Sequence, residues 1–153
     1  MMNMKRHSKE MKIGNVIIGN GRPVAIQSMC NTDTRDIKST VTQLRAFKDA
    51  GCDIARLAIP DMQAADAISE IKKQVSLPLV ADIHFDYRLA VRACKNGIDK
   101  VRINPGNIGE HWKIKEVAAA CAAGNIPIRI GVNSGSVDRD LREQYGVTPQ
   151  TLY

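Results

Sequence analysis

GCDIARLAI (residues 51–59), GIDKVRINP (97–105) and GNIPIRIGV (124–132) share one pattern: a glycine, and five residues later an arginine within an apolar run. A fourth stretch, LPLVADIH (77–84), carries no arginine but aligns through its proline, which sets Val80 opposite Arg129. Side chains alternate along a strand, so residues two and four apart share a face. Arg56, Val80, Arg102 and Arg129 then lie on one face with Asp82, His84, Asn104 and Asn133, and aligning Pro23 in the same way adds Gln27. A doubly wound, flavodoxin-like sheet has helices on both faces. It would desolvate three mid-strand arginines, each at about 3 kcal/mol or more. In a (β/α)8 barrel the same face is the interior, open to solvent and substrate at the C-terminal ends of its strands. Length alone favours the flavodoxin-like sheet; the shared phase of the arginines favours the barrel.

The surrounding sequence alternates in the same sense. Strand-like runs cover 24–29, 54–59, Leu79–Ile83, Lys100–Ile103 and 128–132. Between them lie helical patterns. The first follows Asp36, buries Ile37, Val41, Leu44 and Phe47, and stops at Gly51. The second opens at Asp61 with Met62, Ala65, Ile68, Ile71 and Val75. The third opens at Asp86, turns Leu89, Ala90, Ala93 and Cys94 inward, and stops at Gly97. The fourth carries Ile114, Val117, Ala118 and Cys121 and stops at Gly124. Acidic starts and glycine stops are the capping asymmetry of helices, and strand–helix alternation means βαβ units and a parallel sheet. The expected fold is α/β: the first five βα units of a truncated TIM-like (β/α)8 barrel. A short N-terminal hairpin, formed by 12–18 with the turn Gly19-Asn20-Gly21, precedes it. The strands begin about 26 residues apart, so eight need roughly 230 residues, within the barrel range. Thr148-Pro149-Gln150 reads as a helix start, and a chain that stops there reads as cut short.

The 153 residues are 44% apolar and 25% charged, with formal charge +6, ordinary globular values. No run approaches a membrane span, and the first dozen residues hold no signal-peptide core, so a cytoplasmic location is expected. Lys5, Arg6, Lys9 and Lys12 against Glu10 make residues 1–11 and their border a flexible basic arm, with 12–153 the barrel domain. The arm reads as a solubilising tail, a nucleic-acid or membrane contact being the other reading. Six aromatics are poor material for base stacking, so neither nucleic acid nor membrane is expected as a partner. Cys30, Cys52, Cys94 and Cys121 show no metal-ligand spacing and read as buried reduced thiols. His7 and His111 have no motif partner, and no nucleotide-binding glycine fingerprint occurs.

Three arginines converging from separate strands repel one another unless an anion lies among them. Arg makes bidentate, charge-assisted bonds to phosphate, so the face suits a diphosphate or cyclic phosphate. Pairing with Asp53, Asp82 and Asp99, or snorkelling to the rim, is the other reading. Asp82 and His84, two residues apart on that face, suit acid–base work or a structural hydrogen bond. The turn 104–109 either lines a phosphate site with backbone N–H groups or is a plain turn.

VAIQSMCNTDTRD (24–36), LPLVADIHFDYRLA (77–90), VRINPGNIG (101–109) and IPIRIGVNSGS (126–136) closely resemble the amino-terminal barrel of the 4-hydroxy-3-methylbut-2-en-1-yl diphosphate synthase (GcpE) family. The resemblance begins near Lys12 and runs to the last residue. It implies an iron–sulfur oxidoreductase of the non-mevalonate (MEP) isoprenoid pathway. The implied reaction opens the ring of 2-C-methyl-D-erythritol 2,4-cyclodiphosphate and expels a hydroxyl as water, giving 4-hydroxy-3-methylbut-2-enyl diphosphate. Ferredoxin or flavodoxin supplies two electrons. The resemblance also implies a homodimer, in which a [4Fe–4S] domain of one subunit caps the barrel of the other. Carried over by motif, Arg56, Arg102 and Arg129 form a diphosphate clamp, Asp82 and His84 are catalytic, and Asn104 and Asn133 line the substrate pocket. Gln27 and Asn31 lie at its mouth. Cys30 stands where the family commonly has Thr. No cysteine here matches the family's cluster ligands, three Cys and a Glu, so the cluster domain is expected outside this chain and the chain alone is expected to be inactive. A dihydropteroate-synthase-like transferase barrel and a non-enzymatic phosphate-binding module are the alternatives, and sequence beyond Tyr153 discriminates them.

Overall fold

A computed structural model describes residues 8–133, 135 and 139–148. Two short strands, β1 (Met11–Ile13) and β2 (Val16–Ile18), form an antiparallel hairpin. Then follow β3 (Gln27–Met29), α1 (Ile37–Asp49), β4 (Ile54–Ala58), α2 (Met62–Gln74), β5 (Leu79–Ile83), α3 (Tyr87–Lys95) and β6 (Lys100–Ile103). The chain continues with α4 (Pro105–Ile108), α5 (His111–Ala123), β7 (Ile128–Ile130) and α6 (Arg139–Tyr145).

The helices begin where the acids are. Asp36 accepts from Ser39 N at 3.0 Å, Asp61 from Ala64 N at 2.9 Å and Asp86 from Arg88 N at 2.9 Å. Each satisfies a helix-end N–H that has no partner within its own helix. Gly51 and Gly97 then adopt φ of 84° and 83°, conformations a side chain disfavours, and turn the chain into the next strand.

The five parallel strands are ordered β3-β4-β5-β6-β7, each beside its predecessor in the chain. Right-handed crossovers in one unbroken direction put every helix on the same face, as in a barrel and unlike a doubly wound sheet. The outer face of Leu57, Leu79, Ala81, Ile83, Val101 and Ile103 packs with Leu44, Ile68, Ile71, Ala90 and Val117 of the helices. A second, smaller core lies on the inner face at the start of the strands, where Ile13 of the hairpin is fully buried against Ile54 and Val80. The hairpin therefore plugs the N-terminal end of the sheet's concave face.

Several boundaries differ from the sequence reading. The hairpin turns at Gly14-Asn15, between paired Ile13 and Val16, and Gly19-Asn20-Gly21 instead leads out of it. A Cβ on Gly14 would touch Pro78 and Asp99, so the glycine permits the hairpin's close seat. The first parallel strand is 27–29, not 24–29, and Val24 is 92% exposed. Its neighbour β4 starts only at Ile54, so the Asp53 carboxylate takes the Ile26 N–H at 2.7 Å in place of a ladder bond. The last strand ends at Ile130 rather than 132. Residues 8–11, assigned to the arm, belong to the hairpin: Met11 is in β1, and Glu10 pairs with Arg22 at 2.8 Å. Residues 1–7, and Pro149 and Gln150 of the expected helix start, lie outside the described residues.

Candidate functional site

Register fixes what faces inward. Arg56 lies opposite Val80, and Val80 opposite Lys100. One layer nearer the C-terminal ends, Ala58 lies opposite Asp82, Asp82 opposite Arg102, and Arg102 opposite Arg129. The proline alignment that set Val80 level with Arg129 is thus one layer out; Asp82 occupies that level. A shift of two residues keeps the face, so the three arginines, Asp82 and Lys100 still share the concave side.

Asp82 is the centre of the site. It has no solvent exposure, and its Oδ2 accepts from Arg56 Nε at 3.1 Å and Nη2 at 2.7 Å. Its Oδ1 accepts from Arg102 Nη1 at 3.2 Å, and His84 Nε2 stands 3.3 Å from Oδ2. The arginines and the acid thus form one network rather than separate charges. A buried carboxylate holding two guanidiniums is occupied as a counter-charge, which fits it poorly for proton transfer. His84 is 52% exposed just beyond the strand end, with its second nitrogen unengaged by Asp82.

Arg102 reaches this position because β7 continues into a glycine. A Cβ on Gly131 would come within 2.6 Å of Arg102 Nε and 2.7 Å of Nη2. Arg129 is exposed and has no carboxylate partner among the described residues. Asn104 ends β6 and caps the short helix α4: it is fully buried, its Oδ1 accepts from Gly106 N at 3.1 Å, and its Nδ2 has no partner. The turn expected over 104–109 is this capped single helical turn.

The remaining candidates are less convergent. Asn133 is exposed, three residues beyond β7. Asn31 follows β3 at the strand-end rim and is held by Gln43 of α1, whose Oε1 accepts from Asn31 N at 3.1 Å and Thr32 N at 3.3 Å. Gln43 Nε2 donates to Asn31 Oδ1 at 2.6 Å. Gln27 pairs with Ile54, level with the hairpin plug and below Arg56, not at the mouth. The structure thus brings together Arg56, Asp82, His84, Arg102 and Arg129 and sets Gln27 apart. Sequence reading overlooked Lys100, although it stands two residues before Arg102 and alternation marks it. Gly131 and Gln43 act through long-range contacts that no local pattern shows.

The cysteines are spread through the fold. Cys30 is buried, which, with the Cys52 charge adding to it, pushes its thiol up to about 11. Cys52 Sγ contacts Ile54 O at 3.0 Å, and Cys94 and Cys121 meet at 3.5 Å between α3 and α5 on the outer layer. Among the described residues no three His, Cys, Asp or Glu side chains cluster to hold a metal, and these four thiols do not fit an iron–sulfur cluster. No described helix is long and apolar enough to cross a membrane.

Against known proteins, the GcpE TIM-barrel domain family matches residues 8–153. The chain is 52% identical over 153 residues to the 4-hydroxy-3-methylbut-2-en-1-yl diphosphate synthase (flavodoxin) of Caldanaerobacter subterraneus, covering 99% of this chain and 43% of that protein. It is 56% identical over 149 residues to the enzyme of the same name from Pseudoalteromonas translucida, covering 97% and 40%. The chain therefore spans about two fifths of the length of these relatives. Among solved structures, the Yersinia pestis dihydropteroate synthase matches with TM-score 0.59 at 9% identity, over 78% of this chain and 44% of that one. A Xanthomonas albilineans dihydropteroate synthase matches with TM-score 0.59 at 13% identity, over 88% and 56%. Identities this low speak for the fold alone: a partial TIM-like barrel.

Proposed function

The chain belongs to the GcpE TIM-barrel domain family, and from that premise we propose that its concave face is the diphosphate-binding part of a 4-hydroxy-3-methylbut-2-en-1-yl diphosphate synthase. The substrate on this reading is 2-C-methyl-D-erythritol 2,4-cyclodiphosphate. One observation carries it: a single buried carboxylate, Asp82, stands among Arg56, Arg102, Arg129 and Lys100 on one face. Positive charge in such excess calls for a multivalent anion.

Arg102 and Arg129 grip the diphosphate by fork-like hydrogen bonds, and Arg56 supports them through Asp82. Asp82 is a positioning residue here, because both its oxygens are already in use. His84, braced by Asp82 and open to the mouth, is the group placed to move a proton as the hydroxyl leaves. Asn104 offers its unpartnered Nδ2, and Asn31 and Asn133 border the opening. An iron–sulfur cluster supplies the electrons in this reaction; the described cysteines do not fit one, so the reading takes the cluster, a flavodoxin or ferredoxin donor and a homodimeric partner from outside these residues. A cytoplasmic location follows from the same reading. A dihydropteroate-synthase-like transferase has only the fold likeness in its favour, at 9 and 13% identity.

Titration of the chain with inorganic pyrophosphate and with the cyclodiphosphate tests this. A ligand at a hundredfold excess over its Kd stabilises the fold by about 2.7 kcal/mol. Each charged hydrogen bond contributes roughly 1.5–3 kcal/mol, so Arg102→Met or Arg129→Met should weaken binding at least tenfold, and Arg→Lys should weaken it too. If Lys9→Met or Lys12→Met weakens it as much, the anion is held by diffuse charge and the clamp is wrong.

A further inference from the structure

Strand β6 turns Lys100 and Arg102 inward, alternating with Val101 and Ile103 in the outer core, and Asn104 follows at its end as the cap of α4. Only Arg102 has found an acceptor, Asp82. Lys100 is 9% exposed and Asn104 fully buried. Asn104 Nδ2 is without a partner, and no described carboxylate pairs with the Lys100 ammonium. A buried donor without a partner, beside a nearly buried ammonium without a carboxylate, is costly unless something accepts from them. Lys100 lies opposite Val80, above which is Asp82 and beneath which the plug of Ile13 and Ile54 closes the face. The charged groups of the same face are Arg56 on β4, Asp82 on β5, Arg102 on β6 itself and Arg129 on β7. Asp82, the one acid among them, is saturated by Arg56 and Arg102.

We propose that Lys100 is a further ligand-binding residue, the floor of the anion pocket, whose ammonium takes a phosphoryl oxygen of the diphosphate from beneath while the arginines hold it from the sides. The inference rests on the reading of this face as a diphosphate pocket. Burial first, and the Arg129 charge second, press the Lys100 ammonium toward its neutral form. A bound dianion reverses both influences, since it supplies the missing counter-charge and separates Lys100 from Arg129.

The test is pyrophosphate affinity, by calorimetry, of the 153-residue chain and of its Lys100→Met, Lys100→Gln, Arg102→Met and Lys9→Met variants. Without ligand, both Lys100 variants should melt at or above the parent temperature, because a buried unpaired charge has left. With pyrophosphate they should bind at least tenfold more weakly, as Arg102→Met does, while Lys9→Met binds as the parent. If Arg102→Met loses affinity and the Lys100 variants do not, the inference falls and the diphosphate reading stands. If the parent chain binds no pyrophosphate, or Arg102→Met leaves binding intact, the reading falls and takes the inference with it. If neither Lys100 variant folds without ligand, Lys100 is a structural group and the inference is wrong.

Discussion

Asp82 and Gly131 show how single residues set the site. Asp82 holds Arg56 and Arg102 in place before any ligand arrives, so removing its charge should be felt in the empty protein. Asp82→Asn leaves two guanidiniums facing a neutral amide, at a cost of about 3 kcal/mol; urea denaturation should show it, and pyrophosphate should restore part of it. Gly131→Ala should do the reverse. Its new Cβ meets only the flexible end of Arg102, so the melting temperature should hardly move while pyrophosphate affinity drops severalfold. Unchanged affinity would show that Arg102 swings aside freely, and a large loss of stability would show that the new Cβ meets more than its flexible end. At this scale much was legible. The spacing of glycine to arginine in three strands put the arginines on one face, because alternation is a local rule. The layer of each arginine was not legible, since stagger between strands depends on register across the sheet. Nor was the saturation of Asp82, which takes three partners from three different positions along the chain.

Among the elements, helix starts were the most readable and short strands the least. Asp36, Asp61 and Asp86 cap the helices as their positions suggest, because a cap is a contact within one turn. Hydrogen bonds hold two of these acids below the ordinary carboxylate range, Asp36 through Ser39 and Asp86 through Arg88. A depressed native pKa adds stability above the unfolded value near 3.9 that is lost as pH falls through the native one. Asp36→Asn and Asp86→Asn variants should therefore differ from the parent at pH 6 and converge on it in strong acid, which melting across pH measures. The hairpin turn was misplaced by about five residues, since Gly14-Asn15 and Gly19-Asn20-Gly21 carry equal local signals and only the seat against Pro78 and Asp99 separates them. Helices α4 and α6 went unread, being one or two turns long with no apolar period to reveal them. The plug was equally hidden. Ile13→Ala opens a cavity among Ile54 and Val80 and should cost about 2–5 kcal/mol in urea denaturation.

For the molecule as a whole, the polar inner face was the decisive clue, since a sheet covered on both sides could not hold it. Sequential strand order and the small inner core bear out that choice. Among the described residues no strand neighbours the outer edges of β3 and β7, and Ile130 at the end of the second is 66% exposed. Open edges next to apolar surface favour association. Light scattering should show the chain's mass rising with concentration, and a monodisperse monomer throughout the micromolar range would contradict this. The hairpin has a different bearing, on traffic. With Ile13 closing the strand-start end, the cationic face is approached from the strand ends and across the two free edges of the sheet. Field lines from that face should draw anions in from a distance. Stopped-flow association of pyrophosphate should therefore slow steeply as salt rises, while its escape rate changes much less.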